Sequence, residues 1–125
     1  MIRWEDPRRL PPSERVRSGA ATRPAGLCLG LGHVVVYGNP AFLSTFGQGA
    51  IGLPAREGML RLPGEAFVLL DAVLRRARPL ARWVEIDGER WRLTAIPRVD
   101  AESGAAYGVA FHLRAMGDVP VVIDG

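Results

Sequence analysis

The 125-residue chain has one cysteine, two histidines and no lysine, and only 7% of its residues are aromatic. Each scarcity closes a class. The lone Cys28 cannot form an internal disulfide, so the fold must rest on a packed core, and the 48% of hydrophobic residues can supply one. Cys28, His33 and His112 are the softer metal ligands, with no closely spaced pair among them, which sets aside a structural zinc site. No apolar run has transmembrane length, and no basic-then-apolar leader follows Met1. The expectation is a soluble cytoplasmic protein with no membrane partner, its thiol kept reduced. Without lysine, all sixteen basic residues are arginine. We read this as coding bias, because a choice of guanidinium geometry at every position would need sixteen separate reasons. The length is that of one domain.

Charge is unevenly placed. Residues 1 to 23 hold Arg3, Arg8, Arg9, Arg15, Arg17 and Arg23 against Glu5, Asp6 and Glu14, so the formal net charge of +3 sits in this arm. The remaining ten arginines meet ten acids. On that balance no face of the body is obliged to bind phosphate, and nucleic acid is not expected as a partner. Pro7, Pro11, Pro12 and Pro24 deny the arm a long helix. It is expected to be flexible or loosely docked, with at most a short helix from Ser13 to Ser18 capped by Ser13. The layout expected is an arm over 1–23, a domain over 24–114 and a tail over 115–125.

From Leu27 the chain alternates. Leu27, Leu29 and Leu31 share one side of an extended run, and a second apolar run covers His33 to Tyr37. Asn39-Pro40-Ala41-Phe42 joins a preferred cap residue to a proline at the first helical position, and Gly47 can stop the short helix that follows. Breakers then dominate up to Pro63, apart from one possible helical turn at Pro54-Ala55-Arg56-Glu57. Phe67, Leu70, Val73, Leu74 and Ala77 form a stripe at helical spacing, which predicts a long helix over Gly64 to Arg78 ended by Pro79.

Asp87-Gly88 between two alternating runs predicts a two-residue hairpin with Ile86 facing Glu89, Val84 facing Trp91 and Trp83 facing Arg92. Ile86, Val84, Trp91, Leu93 and Ala95 then share the core face. A polar turn from Asp100 to Gly104 leads to a last strand, Ala106 to Arg114, in which Tyr107, Val109, Phe111 and Leu113 alternate with Gly108, Ala110, His112 and Arg114. The pattern predicts an α+β domain, an antiparallel sheet covered on one side by helices.

In order and spacing these residues resemble the PAS family of sensory domains. The resemblance rests on Gly32 to Phe42, then Phe46-Gly47 and Ile51-Gly52, and later on Trp91-Arg92-Leu93-Thr94-Ala95-Ile96-Pro97, Asp100, Gly104 and Gly108-Val109. It implies a five-stranded antiparallel sheet in the order 2-1-5-4-3, with short helices and one longer helix on one face. It also implies a non-enzymatic sensory or protein-interaction module of bacterial-type signal transduction. The alternative is a small α+β enzyme or ligand carrier.

Two groups of candidate site residues follow. Phe42, Phe46, Phe67, Leu70, Leu74, Val84, Trp91, Leu93, Val109 and Phe111 are expected in the core, whose walls such a domain shares with a pocket for a small apolar ligand. Trp83, Arg92, Gly108, Ala110 and His112 are expected on the outer sheet face, a surface for a homodimer or a signalling partner in trans. Cys28 and His33 are read as a packed or edge thiol and a turn residue. Haem is disfavoured because the long helix offers neither histidine nor cysteine as an axial ligand. Light-sensing versions of the family carry Asn-Cys-Arg-Phe in a helix, whereas Cys28 precedes the first helix on a strand, so covalent flavin is disfavoured too. No catalytic constellation stands out.

Overall fold

The computed structural model describes residues 23–116. The possible helix at Ser13 to Ser18, the separability of the arm up to residue 22 and the tail beyond Met116 lie outside them.

Five strands, β1 (Ala25–Leu29), β2 (Val34–Gly38), β3 (Leu80–Ile86), β4 (Glu89–Val99) and β5 (Ala106–Ala115), form one antiparallel sheet in the order β2-β1-β5-β4-β3. Between β2 and β3 run α1 (Pro40–Phe46), a 3-10 turn (Gln48–Ala50), α2 (Ala55–Gly58) and α3 (Gly64–Arg76). The α+β architecture and the strand order match the expectation.

Local chemistry explains the boundaries. Asn39 caps α1: its Oδ1 accepts from the backbone N–H of Phe42 at 2.8 Å, and Pro40 fills the first helical position. The same Oδ1 accepts from the N–H of Ala25 at 3.0 Å, and Nδ2 donates to the carbonyl of Arg23 at 2.8 Å. One side chain therefore fixes both the start of α1 and the entry into β1. The α3 helix ends two residues earlier than the stripe suggests, because Ala77 adopts a left-handed conformation with φ 53° and its N–H closes on the carbonyl of Val73. The Asp87-Gly88 turn has φ values of 53° and 85°, both positive as a type I′ turn requires, and the hairpin pairs in the expected register throughout. In the β4–β5 turn, Asp100 Oδ1 accepts from the N–H of Glu102 at 2.7 Å.

The core lies between the inner sheet face and α3. Val84, Ile86, Leu93, Ala95, Val109, Phe111 and Leu113 from the sheet meet Ala66, Phe67, Leu69, Leu70, Val73 and Leu74 from α3, and Phe42 closes the side near β1. One residue expected inside differs. Trp91 is half-buried at the margin of the core, because its register partners are Val84 and the strand-end Ala115. Tyr107, near the start of β5, is 49% exposed although it alternates with the buried Val109 and Phe111.

Candidate functional site: the two faces of the sheet

Of the ten inner candidates, Phe42, Phe67, Leu70, Leu74, Val84, Leu93, Val109 and Phe111 are buried together, and Phe46 and Trp91 pack against them half-buried. The Phe42 ring sits 5.0 Å from Phe46 and 6.0 Å from Phe111, tilted in both pairs, as aromatic rings prefer. Cys28 joins this interior fully buried, and desolvation pushes its thiol up to about 12, where it is inert as a nucleophile. A separate groove of about 370 Å³ opens at the edge of the sheet among Val36, Tyr37, Gly38, Leu43, Gln48 and Ile51. None of the ten inner candidates lines it.

The outer face is less open than the alternation suggests. Gly108 is buried against the neighbouring strand β1, where it pairs with Leu29: a Cβ there would stand 2.7 Å from the carbonyl oxygen of Cys28 and 2.7 Å from Leu29 Cδ2. Ala110 is only 6% exposed. These two residues serve the close fit of β1 on β5, so they do not offer a flat open strand. Trp83 is half-buried, with the guanidinium of Arg90 5.0 Å and that of Arg92 5.5 Å from its ring centroid. His112 is half-buried opposite Thr94 and Ala25. Burial first, then the charges of Arg23 and Arg114, lowers its pKa from the usual histidine value.

Sequence reasoning missed His33. The residue takes φ 50°, in the left-handed region, yet is only 4% exposed. Its Nε2 lies 2.6 Å from Asp71 Oδ1 on α3, and Arg56 approaches the other oxygen of that carboxylate at 3.7 Å. The backbone carbonyl of His33 accepts from the N–H of Ala55 at 2.9 Å. The β1–β2 turn, α2 and α3 are thus tied at one point. A histidine and an aspartate 38 positions apart give no local signal of this meeting.

The sheet order, the single long helix across one face and the asparagine-capped α1 together are the fold of PAS sensor domains. The sequence matches no protein-family model and no curated protein. Solved structures share the fold. A sensory box sensor histidine kinase from Vibrio cholerae superposes with a TM-score of 0.65 at 16% identity, covering 82% of this chain and 87% of its own. The PAS domain of the histidine kinase ThkA superposes at 0.60 with 14% identity, covering 74% and 98%. A ligand and DNA complex of VqmA from Vibrio cholera superposes at 0.61 with 20% identity, covering 90% of this chain and 54% of VqmA, so this chain spans about half of that protein.

The VqmA complex corrects one expectation. Nucleic acid was set aside as a partner on charge balance, and the partner was expected to be a second copy or a signalling protein. A protein that shares the fold is found bound to DNA, so charge balance over the body is no ground for excluding that class. Among the described residues no helix is long and apolar enough to cross a membrane.

Proposed function

We propose that the chain is a cytoplasmic, non-catalytic sensory module of signal transduction, whose interior takes a small apolar ligand and whose outer sheet face passes the resulting change on. The observation that carries this reading is the chemistry of the interior. Among the described residues the buried polar side chains are Asn39 and His33. Asn39 bonds backbone atoms, and His33 turns to Asp71. The rest of the interior is aliphatic, aromatic or the inert Cys28 thiol. Such an interior suits recognition by shape and apolar area. The fold shared with sensor domains of histidine kinases supports the same reading.

Native mass spectrometry of freshly purified protein tests it. A small-molecule adduct that is lost on unfolding is the expected result. A bare chain, together with no rise in melting temperature across a panel of small apolar compounds, overturns the ligand part. Trp83→Glu should change how the chain associates while leaving the adduct in place, and spectra identical to wild type remove the outer face from the reading.

A further inference from the structure

The register across the outer face lines up three arginines. β1 pairs with β5 through Ala25 and His112. The N–H of Leu113 donates to the carbonyl of Pro24 at 2.8 Å, which carries that register one residue further and sets Arg23 beside Arg114. Arg114 is the direct partner of Arg92, and Arg92 of Trp83. The row therefore runs Arg23, Arg114, Arg92, Trp83 across four neighbouring backbones, each about 4.8 Å from the next.

Like charges directly opposite one another destabilise a sheet. Among the described residues none of these three arginines has an ion pair. Glu85, on the same face, stands opposite Arg90 in a different row. The Nε atoms of Arg23 and Arg114 are buried and have no hydrogen-bond partner, a costly state for guanidinium donors. Arg92 is held in place over the Trp83 ring. The result is a fixed set of cations, two of them with unmet buried donors.

We propose that the Arg23–Arg114–Arg92 row binds a multiply charged phosphoryl oxyanion. A carboxylate carries one charge and is filled by one guanidinium fork, whereas three guanidiniums in line match two linked phosphoryl groups in both charge and number of acceptor oxygens. The anion removes the repulsion between Arg114 and Arg92, which stand directly opposite one another. The site lies on the face assigned above to output but does not rest on that assignment, since it is drawn from register, charge and unmet donors.

His112 supplies a built-in reporter. It sits next to the row, and the charges of Arg23 and Arg114 contribute to lowering its pKa. An anion that neutralises them must raise it. The test is calorimetric titration of the whole chain with pyrophosphate at low ionic strength, paired with NMR titration of the His112 imidazole. Saturable binding that weakens with added salt is expected, with the His112 midpoint moving up. Arg114→Gln and Arg92→Gln should each weaken binding about tenfold, the scale of one charge-assisted hydrogen bond. Arg98→Gln, on the same face outside the row, should leave it unchanged.

No binding, binding that leaves His112 unmoved, an equal loss in Arg98→Gln, or equally tight binding of an oligoglutamate peptide would each overturn the proposal. A single-stranded oligothymidylate separates the two sources of phosphoryl groups. Competition with pyrophosphate at higher affinity, lost in Arg114→Gln, identifies a phosphodiester backbone, and pyrophosphate binding without competition identifies a small phosphorylated ligand. Trp83→Glu would set a carboxylate opposite Arg92, so the two readings are told apart by Arg114→Gln, which should weaken the anion response while leaving Trp83 and the association state as they are.

Discussion

The two faces of the sheet are made by alternate residues of the same strands, yet they follow different rules. On β4, Leu93 and Ala95 are buried and point to α3, while Arg90, Arg92 and Thr94 between and beside them point away. The inner face is apolar and closed, and its residues are interchangeable in chemistry though not in volume. The outer face carries Arg90, Arg92, Arg98, Arg114, Trp83 and His112, each of a kind that does something besides fill space. Apolar burial is concentrated on one face and charge on the other, with the period of two in the strand keeping them apart.

The largest expected effect tests the inner face. Phe111→Ala removes a fully buried ring packed against Phe42 and should cost about 3–5 kcal/mol in denaturant unfolding. A loss below about 1.5 kcal/mol would mean that the interior is already loose, and the division between the faces would fail there.

Next comes Asn39→Ala, which deletes the α1 cap and leaves the N–H of Ala25 without its acceptor. About 2–3 kcal/mol is expected, more than the roughly 1 kcal/mol of an ordinary cap. Asn39→Asp keeps the acceptor for both N–H groups but sets a carboxylate oxygen against the carbonyl of Arg23, so it should recover only part of the loss. Full recovery in Asn39→Asp would show that the bond to Arg23 contributes nothing.

Trp83→Ala on the outer face should cost about 1 kcal/mol or less, since the contacts it loses are half-exposed stacking with arginines. A cost approaching that of Phe111→Ala would show that the outer face is part of the stability core after all.

The smallest effect is a slope. The folded pKa of His112 is depressed, so the unfolded chain binds its proton more readily than the folded one. Stability should be full above the usual histidine value of 6.5 and decline as pH falls through it towards the folded pKa. His112→Asn should flatten that part of the profile, as measured by urea midpoints from pH 8 down to about 5.5, above the carboxylate range. An unchanged slope would mean that neither the burial of His112 nor its cationic surroundings acts on it.

Much of the fold could be read from local chemistry. Asp87-Gly88 determined the register of a whole hairpin, because both positions need positive φ and few other residue pairs accept it. Asn39-Pro40 marked the start of α1 for a similar reason. The end of α3 was misjudged because Ala77 turns left-handed without any glycine to announce it. The site was harder to see. Which aromatics lie inside followed from alternation, but no strand pattern encodes the partial exposure of Trp91 and Tyr107. The burial of Gly108 and Ala110, and the arginine row itself, depend on β1 lying between β2 and β5, so they appear only once the sheet is assembled. The pairing of His33 with Asp71 is of the same kind.

Asn39 has one further consequence. Through its carboxamide it grips the carbonyl of Arg23, the N–H of Ala25 and the N–H of Phe42, and Phe42 is buried against Phe111. A tug on the backbone at Arg23 is therefore felt first at a helix cap and then in the middle of the hydrophobic interior, and a rearrangement of the interior is felt at Arg23 by the same route. The carboxamide works as a rivet between the edge of the sheet and the helix that covers it.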